Sequence, residues 1–122
     1  MAKTILVVDD SSSMRQAVSI ALRRGGYDVV DAVDGVDALT KLDGRKLHLV
    51  ISDVNMPRLD GIGLLTQIRT MPAYKFTPVI LLSTESAEAK RQEGRLAGAK
   101  AWVVKPFLPE QLLGAVAKLI LP

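Results

Sequence analysis

The 122-residue sequence predicts an open, doubly wound α/β domain, a five-stranded parallel sheet with helices on both faces. Three observations carry this. Short continuous apolar runs alternate with amphipathic segments about five times, the runs are of the kind buried on both faces, and the connections are too short to pair the same elements as antiparallel hairpins. Right-handed crossovers follow from that alternation. The length suits one domain with one core, spanning residues 1–122.

Ile5-Leu6-Val7-Val8 is the first buried strand, and it ends on Asp9-Asp10. Ser11, Ser12 and Ser13 offer N-caps for a helix whose apolar face is Met14, Ala17, Val18, Ala21 and Leu22, and Gly25-Gly26 stops it. Tyr27 to Ala32 reads as a second strand. Val36, Leu39 and Leu42 mark the second helix, which Asp34 and Asp37 favour electrostatically at its start and Asp43-Gly44 ends. The run Leu47 to Asp53 is the third strand, and Met56-Pro57 forces the backbone out of it at once. Asp60-Gly61 opens a helix carrying Leu64, Leu65, Ile68 and Met71, with Arg69 on its solvated side. Thr77 to Ser83 is a fourth strand that ends on hydroxyls. The segment Glu85 to Leu96 is helical in propensity but offers mainly Ala87, Ala89 and Leu96 for anchoring, and Gly94 costs it about 1 kcal/mol relative to alanine, so it is expected to be the most weakly held helix. Ala101 to Val104 is the fifth strand and delivers Lys105-Pro106. Pro109 and Glu110 begin a final helix with Leu112, Leu113, Val116, Leu119 and Ile120 on one side.

Composition narrows the function. The chain has no cysteine, which removes disulfides, thiolate nucleophiles and cysteine-ligated zinc, and its single histidine, His48, lies in the apolar run before Asp53, where a packed or edge-exposed ring is expected. The apolar start, Ile5 to Val8, is too short for a signal peptide or membrane span, so a cytoplasmic location with no membrane insertion is expected. The net charge of +3 comes from interspersed charges with no basic, aromatic-interleaved block, which argues against nucleic-acid binding.

If the first, third, fourth and fifth strands are parallel neighbours, their carboxyl ends bring Asp9, Asp10, Asp53, Ser83 and Lys105 to one rim, where open α/β sheets bind ligands. Three carboxylates there repel one another by roughly 3 kcal/mol per pair at about 5 Å and an effective dielectric near 20. A raised pKa or a bound cation relieves this. An all-oxygen donor set favours a hard divalent ion, and few protein ligands favour Mg2+, which keeps waters and can bridge to a phosphoryl group. Lys105 and Ser83 suit the same anion, so the rim holds the parts of phosphoryl transfer. Asp9-Asp10 would repel a dinucleotide phosphate, no Walker-type glycine loop is present, and the spacing of an Asp-x-Asp phosphatase is absent.

Taken together, Val8-Asp9-Asp10 with Ser11 and Met14-Arg15, Asp53 with Met56-Pro57 and Asp60-Gly61, Pro78-Val79-Ile80 leading to Ser83, Ala97-Gly98-Ala99, and Lys105-Pro106-Phe107 resemble the receiver domains of two-component response regulators, in particular the stand-alone chemotaxis (CheY-like) type. The resemblance covers essentially the whole chain. It implies a flavodoxin-like (βα)5 fold with strand order 2-1-3-4-5, and Asp53 as acceptor of a phosphoryl group from a CheA-like histidine kinase. It implies magnesium held by Asp10, Asp53 and the backbone carbonyl of Asn55, with Asp9 acting through a water, and a Lys105 that pairs with the acyl phosphate and precedes a cis bond to Pro106. It also implies Asn55 and Glu85 flanking the path of the water that removes the phosphoryl group, although Glu85 equally suits a helix start. Ser83 and Trp102 match the family's switch pair, though Trp102 is larger than the usual residue and Thr84 stands where a smaller one is common. Such a protein autocatalyses its own phosphorylation and dephosphorylation without being a conventional enzyme. With Pro122 following the last helix, a monomer without an output domain is expected, signalling through the surface from about Ala87 to Leu119 to a target such as a flagellar motor switch protein. A phosphorylation-independent adaptor and a phosphate sink are the alternatives of the same fold, and a metal-dependent phosphohydrolase is a third.

Overall fold

A computed structural model describes residues 2–84 and 88–120. Its strands are β1 (Thr4–Val8), β2 (Asp28–Ala32), β3 (Leu49–Asp53), β4 (Val79–Ser83) and β5 (Ala101–Val104), and its helices are α1 (Ser12–Arg24), α2 (Gly35–Lys41), α3 (Gly61–Ile68), α4 (Glu88–Ala97) and α5 (Pro109–Leu119). All strand pairs are parallel, in the order β2-β1-β3-β4-β5. The chain winds outward from β1 in one direction and then returns past it to β3, so the order reverses between β1 and β3. A crevice opens at their carboxyl ends.

The alternation of side chains along each strand divides the core in two. Leu6, Val8, Val50, Val79 and Leu81 face one way, onto Ala38, Ile62, Leu65 and Ile68 of α2 and α3. Ile5, Val7, Leu49, Ile51, Ile80 and Leu82 face the other way, onto Val18 and Leu22 of α1 and Leu112 and Val116 of α5. The helices begin on sequence-local caps: Ser11 accepts from the amide of Met14, Asp34 from Asp37 and Asp60 from Gly63.

Several sequence expectations change. The third strand begins at Leu49, and the preceding His48 is tied to the start of β1: its amide donates to the Thr4 carbonyl and its Nδ1 accepts from the Thr4 amide. In α2 the buried residues are Gly35 and Ala38, whereas Val36 is exposed and Leu42 caps the end. Arg69 is not a solvated side chain. Its guanidinium donates to the carbonyls of Thr77 at 2.7 Å, Gly98 at 2.9 Å and Lys75 at 3.3 Å, tying α3 to two loops.

Leu96 does not anchor α4, since it is 77% exposed. The buried residue among those described in α4 is Gly94, and a Cβ placed there would lie 2.9 Å from the Trp102 ring and 3.1 Å from Leu81. The glycine that weakens the helix is what lets it approach the sheet.

Candidate functional site

The ends of β1, β3, β4 and β5 at the crevice place polar side chains. Asp9 follows β1: its amide continues the ladder to the Ala32 carbonyl, its carbonyl accepts from the Arg15 guanidinium at 2.8 Å, and its Oδ1 accepts from the Ser11 amide at 2.9 Å. Asp53 is the last residue of β3 and is buried. Lys105 follows β5, with its amide bonded to the Ser83 carbonyl, and this aims its Nζ into the crevice. There Nζ lies 3.2 Å from Asp53 Oδ1 and 3.4 Å from Asp9 Oδ2.

Asp10 is exposed beside them, and Asp9, Asp10 and Asp53 each present an oxygen within 4.8 Å of the others. Burial pushes the Asp53 carboxyl above its usual range; Lys105 pulls it back down, and the charges of Asp9 and Asp10 push it further up. Three carboxylates with one ammonium form a site whose negative charge exceeds its compensation. The all-oxygen donors and the excess negative charge fit a hard divalent cation such as Mg2+, with Asp9, Asp10 and Asp53 able to hold it.

The other predicted residues stand around this cluster. Asn55 is exposed in the loop two residues beyond Asp53. Ser83 ends β4 and is fully buried. In the β4–β5 register Leu81 faces Trp102 and Ser83 faces Val104, so Ser83 and Trp102 share one face of the sheet, with Trp102 further from the rim. Trp102 is partly exposed and packs on the α2–α3–α4 side of the core. Thr84 is exposed. Glu85 lies outside the described residues. The Lys105–Pro106 bond is cis.

Two further residues tie down the loops beside the cluster. Arg15 bridges the Asp9 carbonyl and the Asp31 carboxylate, 3.2 Å away, and thereby fixes the turn between β1 and α1. The sequence signal was an arginine in the first turn of a helix, where the helix dipole disfavours a cation unless it has a local anion or carbonyl. Arg58, in the loop that follows Asp53, has a left-handed backbone (φ 67°) and pairs with the buried Asp34.

An open parallel sheet whose first and third strands deliver carboxylates, and whose fifth delivers a lysine, gathers acidic and basic groups together at its topological switch point. The chain belongs to the response regulator receiver domain family, whose model matches residues 5–117. Among its relatives, the protein PilG of Pseudomonas aeruginosa is 38% identical over 112 residues, covering 92% of this chain and 83% of that one. The chemotaxis protein CheY1 of Helicobacter pylori is 40% identical over 110 residues, covering 88% and 89%. The solved structure of the chemotaxis protein CheY4 of Vibrio cholerae superposes with a TM-score of 0.93 at 44% identity, over 98% of this chain and 99% of that one.

Proposed function

We propose that the chain is a phosphorylation-switched signalling domain in which Asp53 accepts a phosphoryl group from a histidine kinase. The observation that carries this is Asp53 itself: a buried carboxylate held between Lys105 and the Asp9–Asp10 pair at the mouth of the crevice. An oxygen of Asp53 attacks the phosphorus of a phosphohistidine; the new P–O bond forms as the P–N bond breaks, and the leaving imidazole takes up a proton. Lys105 neutralises one oxygen of the arriving group, and the Ser83 hydroxyl, at the end of β4, donates to another. Asp9, Asp10, Asp53 and the Asn55 carbonyl are the groups that would hold magnesium. When bound, the metal neutralises charge on the phosphoryl oxygens. Hydrolysis reverses the modification by in-line attack of water on the same phosphorus, releasing the Asp53 carboxylate, with Asn55 and Glu85 as the residues that tune water access.

The output belongs to the surface of α4, β5 and α5. A groove of about 440 Å³ lies there, lined by Glu88, Arg91, Arg95, Lys100 and Trp102, beside the helix whose one buried residue is Gly94. Reorientation of Ser83 toward the phosphoryl group would change what Trp102 and α4 can pack against, and so what a partner meets. The names of two relatives, both chemotaxis proteins, support a chemotaxis pathway, with a CheA-like kinase upstream and a motor switch protein or similar target downstream. A monomeric cytoplasmic protein fits this role, and no helix among the described residues is long and apolar enough to cross a membrane.

The test is intact-mass analysis after treatment with acetyl phosphate and magnesium. A phosphoryl adduct that chelation and Asp53→Asn both abolish is expected. An adduct that survives Asp53→Asn would refute the assignment.

A further inference from the structure

The loop between β3 and α3 is clamped at two places. At its far end Gly61 sits directly on the backbone of Asp53 and Val54, where any Cβ would collide, and the Gly61 amide donates to the Val54 carbonyl at 2.9 Å. In its middle, Leu59 packs against Gly35 so closely that a Cβ there would come within 2.5 Å of the Leu59 carbonyl. Beside that contact, Arg58 takes a left-handed backbone and forms an ion pair with Asp34.

Asp34 is not a casual surface partner. Its carboxylate is 8% exposed, it accepts from the Asp37 amide at 2.7 Å as the N-cap of α2, and Asp37 in turn accepts from the Val33 amide, so the carboxylate is fixed from its own side. The Arg58 side chain is 61% exposed and spans 24 residues of sequence to reach it. A long, solvated side chain on an unfavourable backbone conformation gives little to the core, yet it fixes the loop that carries Asn55 against a rigid helix start.

We propose that the Arg58–Asp34 pair is a positioning device for the metal site, holding the β3–α3 loop so that the Asn55 carbonyl stands at the rim beside Asp9, Asp10 and Asp53. The inference rests on the reading of that rim as a magnesium site. Neither side chain touches the ion. Both act through the loop backbone.

Charge and position make opposite predictions for one of the two partners. Removing the Arg58 cation would strengthen divalent-cation binding if only long-range charge mattered, whereas removing the Asp34 anion would weaken it. A positional role weakens binding in both. The experiment is isothermal titration of the full chain with magnesium alone, alongside urea unfolding, for Arg58→Asn, Asp34→Asn and the double variant. Asparagine tolerates a left-handed backbone at position 58, and at position 34 it still caps α2. The expected result is an about fivefold rise in the magnesium Kd, about 1 kcal/mol, for each single variant and no further rise in the double. Tighter or unchanged binding in Arg58→Asn, or additive losses in the double variant, would overturn the inference even if unfolding shifts. Absence of magnesium binding by the unaltered protein would instead overturn the metal-site reading, and this proposal with it.

Discussion

Replacing Asp53 by asparagine should stabilise the metal-free protein near neutral pH. The carboxylate oxygens of Asp9, Asp10 and Asp53 lie within 4.8 Å of one another. At an effective dielectric of 20, each ionised pair at that distance is repelled by about 3.5 kcal/mol. Asp53 takes part in two such pairs, about 7 kcal/mol, while Lys105 at 3.2 Å returns about 5 kcal/mol. About 2 kcal/mol is left against the charged form before the cost of its burial is added. An amide of the same shape removes that term, so the urea midpoint should rise by about 1 M for a slope near 1.5 kcal/mol per M.

The pH dependence follows from the direction of the Asp53 shift. Its carboxyl titrates above 3.8 in the folded protein, so the native state holds the proton more tightly than the unfolded chain does. The Asp53 contribution to stability therefore falls as pH rises from 3.8 through the folded-state value, and the advantage of Asp53→Asn appears across that window and levels off above it. Below 3.8 the two proteins should converge. Excess magnesium should shrink the advantage, because the ion stabilises only the chain that keeps its ligand. A loss of stability in Asp53→Asn in chelator near pH 7, or a gain that persists unchanged below 3.8, would refute the electrostatic reasoning.

Three further outcomes are open to the same unfolding measurements. Gly94→Ala should gain about 1 kcal/mol in helix propensity but lose roughly 2 kcal/mol to overpacking, chiefly against the Trp102 ring, so it should destabilise by about 1 kcal/mol, and the same change should become stabilising in a Trp102→Ala background, where the end of the buried Leu81 side chain can shift into the space the ring leaves. Arg69→Met leaves the carbonyls of Lys75, Thr77 and Gly98 without their guanidinium donor and should cost about 3 kcal/mol; a loss under 1 kcal/mol would show that water replaces the guanidinium readily. Burial and the charges of Lys3 and Lys46 hold the His48 imidazole below its usual 6.5, so the unfolded chain takes up that proton first and stability should fall as pH drops through 6.5 toward the folded value. His48→Asn should flatten that slope.

The fold was legible because its signals are local. Ile5 to Val8 and Val79 to Leu82 are apolar at every position, as strands covered on both faces must be, and the caps Ser11, Asp34 and Asp60 stand beside the helices they start. The site was legible because strand ends converge: once the strands are parallel, Asp9, Asp53 and Lys105 have only one place to meet. What the sequence hid depends on partners far along the chain. Arg69 reads as surface until Gly98, 29 residues away, comes within reach of its guanidinium. Arg58 and Asp34 lie on different loops, and neither carries a local mark of the other. Leu96 and Gly94 exchange roles because helix periodicity ranks residues by hydrophobicity, whereas the Trp102 ring leaves room only for the smaller one.

These hidden contacts decide how α4 is held. Its C-terminal end is tied through Gly98 to Arg69 and α3, and the Ala99 amide donates to the Gly94 carbonyl, so the turn into β5 is fixed by at least two independent bonds. It also meets the sheet where Gly94 lies against Trp102 and Leu81. Leu81 lies two residues before Ser83 on the same strand face, and Trp102 is its partner on β5. A change in packing at Ser83 therefore meets α4 through the Leu81–Trp102 pair before it meets the Arg69 tie. The end of the helix at Ala97 is the one that Arg69 holds, through the Gly98 carbonyl. Loss of the Arg69 bonds should therefore loosen α4 without touching the acidic cluster: amide exchange across 88–97 should accelerate in Arg69→Met while the magnesium Kd stays within twofold of the unaltered protein.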